Sequence, residues 1–136
     1  MQVNPYLTFP GNCEEAFTFY AKVLKAKIEA MLPHAGTPAE EYVSPEWRGK
    51  ILHACMSIGD SKLMASDCPP ERFDASKGIS VSLHPSTPAE AERIFSALSE
   101  SGTVTMPIEE TFWAARFGML TDRFGTPWMI NCDKAA

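Results

Sequence analysis

The chain carries one pattern twice, and that repetition limits its fold more than any other feature. Asn12, Glu15, Ala16, Phe19, Tyr20 and Val23 are answered 75 residues on by Thr87, Glu90, Ala91, Ile94, Phe95 and Leu98. In each set a capping residue is followed three positions later by Glu, and apolar residues then recur at helical spacing. The pattern predicts two helices, each with one buried stripe. Lys22, Lys25 and Lys27 suit the C-terminal end of the first helix dipole, and Gly102 is expected to end the second. The strands before the helices match at a spacing of 74: Pro5, Leu7 and Phe9 against Ile79, Val81 and Leu83. Val3, Pro5, Leu7 and Phe9 alternate with Asn4, Tyr6 and Thr8, which makes a strand with one apolar and one polar face. Pro5 places it at a sheet edge or a strand start.

Each half continues in the same way. Residues 26–32 and 103–109 read as strands. Residues 51–58 and 62–67 make a hairpin across Gly59-Asp60, and 112–121 and 126–132 make another across Asp122–Gly125. Leu63-Met64 and Trp128-Met129 are mates. Each half is therefore β-α-β-β-β, over 1–67 and 78–132 of a single domain spanning 1–136. So long a period indicates a duplicated module, not a solenoid. The stretches 33–50 and 68–77 lose periodicity and read as loops; loops as long as the first are usually functional or mobile. The expected class is α+β. With one helix covering one face of each sheet, two sheets curling around a shared space would make a cleft lined by the other face.

Composition narrows the partners. The net charge is −5 with no basic cluster, which argues against nucleic acid. No apolar run approaches the roughly 20 residues of a membrane span, and the start MQVNPYLTF lacks the pattern of a signal peptide. A soluble, cytoplasmic chain is expected. Cys13, Cys55, Cys68 and Cys132 show no CxxC, and His34, His53 and His84 are far apart. Zinc-site spacing is missing, and reduced cysteines are the expectation.

Three segments carry a family resemblance: NPYLTFPGNCEEAFTFYAKVLKAKI, HACMSIGDSKLMASD and FWAARFGMLTDRFGTPWMIN. The most specific pieces are the EAxxFY helix, the IGD–LMxSD hairpin and FW followed by GMxTDxFGxxW. Together they resemble the PhnB-like branch of the glyoxalase/bleomycin resistance/extradiol dioxygenase superfamily, the vicinal oxygen chelate fold. The resemblance implies two βαβββ modules forming a cup-shaped mixed sheet around a cavity, a small-molecule ligand and a homodimer. This branch often bears the label of a demethylubiquinone methyltransferase. No glycine-rich loop follows a strand here to hold a nucleotide cofactor. The superfamily's metal enzymes place four His, Glu or Gln ligands on cavity strands. The resemblance carries these to Asn4 (or Pro5), to near Met64, to Gly78 (or Ile79) and to Met129. None offers the imidazole or carboxylate that a divalent ion wants. The expectation is a small-molecule-binding protein without cofactor or metal. The alternatives are a metal-dependent lyase or dioxygenase using His53 with Glu109 or Glu110, and a metal-free acid–base enzyme using His53.

Single residues admit two readings each. His53 is a general base or ligand contact, or a strand-end His bonded to backbone. Asn4, Tyr6, Thr8, Ser66 and Asn131 orient a ligand or lie on solvated sheet surface. Met64 and Met129 form a soft cavity wall or fill core. Phe112 and Trp113 adjoin within the strand 112–121, so one of the two faces a cavity, or both are core. Arg116, in an apolar strand, needs an anion: a ligand, an internal acidic partner or a dimer contact. Asp67 reads as a turn cap, and Glu109-Glu110 as a solvated turn.

Overall fold

The computed structural model describes residues 1–135 as two compact units, Met1–Asp74 and the chain from Ala75 onward. The first unit runs β1 (Tyr6–Phe9), α1 (Cys13–Leu24), β2 (Lys27–Pro33), β3 (Ile51–Ile58) and β4 (Ser61–Asp67). The second runs β5 (Val81–Leu83), α2 (Pro88–Ser99), β6 (Thr103–Glu109), β7 (Ala114–Thr121) and β8 (Pro127–Asp133). Each unit is a four-stranded mixed sheet, in the orders β1-β4-β3-β2 and β5-β8-β7-β6. The first strand of each is a parallel edge and the other pairings are antiparallel. The class is α+β, built from two βαβββ modules.

In the first unit α1 packs on β2, β3 and β4. Its buried stripe is Cys13, Ala16, Phe17, Tyr20 and Val23. The expected Phe19 is only half-buried, while Phe17 is 0% exposed. The reason is rotation: with Cys13 buried, the i, i+3, i+4, i+7 positions are 13, 16, 17 and 20. Phe9, Phe17 and Tyr20 then meet as an aromatic cluster with centroids 6.1–6.4 Å apart. The strand β1 is shorter than its alternation suggests. Val3 is exposed and pairing begins at Tyr6, next to Pro5, whose carbonyl accepts from Met64 N at 3.1 Å.

The start of α1 is also built differently from a capping box. Asn12 makes no side-chain cap, and its Oδ1 is buried without a partner. Asp67, at the end of β4, does the work instead. Its Oδ1 accepts from Gly11 N (3.0 Å) and Cys13 N (2.9 Å), and its Oδ2 from Ile51 N (2.8 Å). One buried carboxylate thus ties the start of α1 and the start of β3 to the end of β4.

In the second unit α2 rests on β6, β7 and β8 and buries Ala91, Ile94, Phe95 and Leu98, as the stripe predicts. Thr87 Oγ1 accepts from Glu90 N at 3.2 Å, a true N-cap. The helix ends before Gly102. Ser101 takes the left-handed conformation (φ 59°), and Gly102 serves close approach: a Cβ there would lie 2.5 Å from the Thr121 carbonyl. β5 is confined to 81–83, leaving Ile79 exposed ahead of it. The ladders also refine the repeat. Tyr6 pairs with Met64 and Ser82 with Met129, so the first strands match at 76 through these partners, two more than the sequence pattern suggests. The facing of each side chain is unchanged by a shift of two.

Candidate functional site

Strand parity sorts the first sheet into two faces. Leu63, Ala65 and Asp67 of β4 are buried on the helix side, with Ala54 and Met56 of β3 and Leu7 and Phe9 of β1 in register. The other face carries Tyr6 and Thr8 of β1, Met64 and Ser66 of β4, and Cys55 and His53 of β3. Tyr6, Thr8, Met64, Ser66 and His53, all expected at a ligand site, therefore share one helix-free face. None of these five is fully buried, and Tyr6 is 49% exposed.

On this face Tyr6 reaches across β4. Its hydroxyl lies 3.0 Å from His53 Nδ1, and the rings stack with centroids 5.8 Å apart. The contact joins residues 47 apart in sequence on strands that are not neighbours. It sets the chemistry of the other imidazole nitrogen. If the phenol donates to Nδ1, Nε2 carries the proton and can donate to a ligand. If Nδ1–H donates to the phenol oxygen, Nε2 holds the lone pair and can act as a base. Asn4 stands ahead of β1, and its amide donates to Gln2 Oε1 at 3.4 Å.

The second sheet divides in the same way. Trp128, Ile130 and Cys132 are buried on the helix side. Met129 and Asn131 lie on the other face, paired with Met119 and Phe117 of β7, and Ser82 of β5 lies beside Met129. Trp113 packs edge-on against Phe117 at 5.3 Å. Phe112 and Trp113 precede β7 rather than lying in it: Thr111 N donates to Ala114 O, and Thr111 Oγ1 accepts from Trp113 N and Ala114 N. Both rings are therefore outside strand alternation, with Trp113 48% exposed and Phe112 90%. Sequence reading missed Phe117 and Met119. Their position opposite Asn131 and Met129 on a two-residue period was the available signal.

Of the three anions open to Arg116, the structure supplies the internal acidic partner. Arg116 pairs in the ladder with Cys132, on the helix side, and its Nε donates to Glu92 Oε1 of α2 at 2.7 Å. It stands apart from Met129 and Asn131, and the Glu92 carboxylate raises its pKa further. His84 is bonded to Ser82 Oγ through Nε2 at 3.0 Å, and His34 through Nδ1 to the Lys50 carbonyl at 2.8 Å. Burial, with Asp67 and Glu14 nearby, pushes the Cys13 thiol up to about 12, so it is no nucleophile near neutral pH.

The donor set does not fit the metal that the resemblance implies. Met64 and Met129 offer thioethers, Asn4 an amide, and Gly78 no side chain. Divalent zinc, iron or nickel sites take imidazole, carboxylate or thiolate. Among the described residues no three His, Cys, Asp or Glu side chains gather. Glu110 pairs with Lys134 at 3.4 Å.

Comparison with known proteins decides the family. The model of the 3-demethylubiquinone-9 3-methyltransferase family matches residues 1–131. The chain belongs to this family. Protein YjdN of Escherichia coli K12 is 34% identical over 98% of this chain and 97% of its own length. The crystal structure of protein PA1353 from Pseudomonas aeruginosa is 48% identical, covers 99% of each chain and superposes with a TM-score of 0.90. A glyoxylase/bleomycin resistance protein/dioxygenase domain from Frankia, 11% identical, covers 98% of each chain with a TM-score of 0.69 and shares the fold. The PhnB protein from Bacillus cereus, 22% identical with a TM-score of 0.81, shares the fold as well. Among the described residues no helix is long and apolar enough to cross a membrane.

Proposed function

We propose that the chain is a small-molecule-binding protein that holds an apolar or aromatic compound on the helix-free face of its sheets, without a metal. One observation carries the reading: Tyr6, bonded to His53, lies beside Met64 on a face that no helix of its unit covers. A planar ring, a polarizable thioether and an imidazole with one free nitrogen suit a flat apolar ligand bearing one polar group. In the second unit Met129, Trp113 and Phe117 supply the thioether and planar rings, and the Asn131 amide stands where the first unit has an imidazole. A cytoplasmic homodimer is part of the proposal. Four unpaired cysteines favour a reducing compartment, and the unpaired edges of β2 and β6 with exposed Phe112 favour self-association.

The test is a thermal-shift screen of small aromatic and apolar compounds, with hits carried to Tyr6→Ala and Met64→Ala. A hit that raises Tm and loses affinity in both variants supports the reading. Hits indifferent to both variants would end it. A second reading, acid–base catalysis by His53, is favoured by the same Tyr6 bond. It requires turnover whose pH profile follows one imidazole and vanishes in His53→Ala.

A further inference from the structure

The two aperiodic loops of the first unit meet. Tyr42, Ser44 and Trp47 from one, and Pro69, Pro70 and Arg72 from the other, line a recess of about 280 Å³. The first loop is a built structure. Ala35 N donates to Arg48 O (2.8 Å), Trp47 N to Ser44 O (2.9 Å), and both His34 N and Nδ1 bond the Lys50 carbonyl. The benzo edge of Trp47 is wedged against Gly11, where a Cβ would lie 3.2 Å away, and Lys50 Nζ stands 6.0 Å from the ring centroid.

Two of the lining residues carry donors that no group among the described residues accepts, one buried and one exposed. The Trp47 indole N–H is buried with no acceptor, a state native proteins rarely tolerate without a reason. Arg72 makes no ion pair among the described residues. One donor and one guanidinium ask for an anionic acceptor, and bonds to a carboxylate are about twice as strong as neutral ones. The walls are aromatic and prolyl, and the volume sits just below the roughly 300 Å³ lower bound of drug-sized pockets, which suits a single ring. Glu71 also lines the recess, and its charge opposes any anion, a polyanion more than a monocarboxylate.

We propose that this recess is a second ligand site, separate from the sheet face, for a small aromatic monocarboxylate. The ring lies between Tyr42, Trp47 and the two prolines, and the carboxylate accepts from the Trp47 indole N–H and Arg72. Tyr42, 83% exposed, is the wall with room to turn aside as the acceptor enters.

The experiment is a titration of ¹⁵N-labelled protein with benzoate and phenylacetate, read at the indole N–H signals of Trp47, Trp113 and Trp128. Trp47→Phe assigns the first signal. The expected result is a saturable shift of the Trp47 signal, weakened about tenfold or more in Arg72→Gln and weaker for benzyl alcohol. Should Trp47→Phe fold poorly, the exposed Tyr42→Ala variant serves, with weakened binding expected. No saturable Trp47 shift up to about 10 mM, or equal binding by Arg72→Gln, overturns the proposal. A shift of Trp113 alone would place the compound on the second sheet and refute this site while leaving the sheet-face reading standing.

Discussion

Replacing Asp67 by Asn tests whether one carboxylate holds the first unit's layers together. The substitution keeps shape and removes one acceptor. Asn can keep its oxygen toward Gly11 N and Cys13 N, but its NH₂ then faces Ile51 N, now 2.8 Å from Oδ2. The Ile51 N–H loses its acceptor in a buried position, at about 1–3 kcal/mol. The two bonds that remain lose charge assistance, adding about 0.5–1 kcal/mol each. The expected loss is about 2–5 kcal/mol, and Asp67→Ala, which strands all three N–H groups, should cost more. The assay is urea unfolding followed by circular dichroism, with Asp60→Asn in the exposed hairpin turn as control. At an m-value near 2 kcal/mol per molar, the Asp67→Asn midpoint should fall by at least about 1 M, with m unchanged. Asp60→Asn should stay within about 0.5 kcal/mol of the parent. Equal midpoints for the two variants would refute the carboxylate's role.

Three further outcomes follow from the same geometry. Phe17→Ala should destabilise by about 3–5 kcal/mol and half-buried Phe19→Ala by clearly less; a reversed order in thermal unfolding would return the stripe to Phe19. Cys13, raised from 9.0 to about 12, favours the protonated folded state. Its contribution is intact below pH 9 and is lost as pH rises toward 12. Cys13→Ser should therefore flatten the alkaline fall in stability, and native Cys13 should resist alkylation at pH 8 while Cys68 reacts. Elemental mass spectrometry after loading with zinc, nickel, iron or manganese should find far less than one equivalent; near-stoichiometric retention would contradict the donor-set argument.

What was legible in the sequence follows the range of the interactions. The cap and buried stripe of α2 were readable to the residue because both are local, while its end falls at Ser99, short of the expected Gly102. α1 was readable as a helix, but Phe17 and Phe19 sit two apart, and only the burial of Cys13 decides which faces the sheet. The Asn12 box fails because its competitor, Asp67, lies 54 residues from Cys13 and is invisible to local pattern. Arg116 reads as an orphan cation until α2 brings Glu92 beside it, 24 residues away. Alternation made Tyr6 and Thr8 legible as one face and Met64 and Ser66 as another, since parity survives errors of strand length; the ladder between β1 and β4 joins the two. The bond from Tyr6 to His53 was not, because it spans β4 and depends on sheet order.

The most direct test of ligand binding on the helix-free face is ¹⁵N–¹H mapping of a screening hit on the labelled protein, repeated with His53→Ala. Shifts should centre on Tyr6, Thr8, His53, Met64 and Ser66, and affinity should drop in the variant. Shifts confined to the outer surface of α1, with His53→Ala binding unchanged, would contradict it.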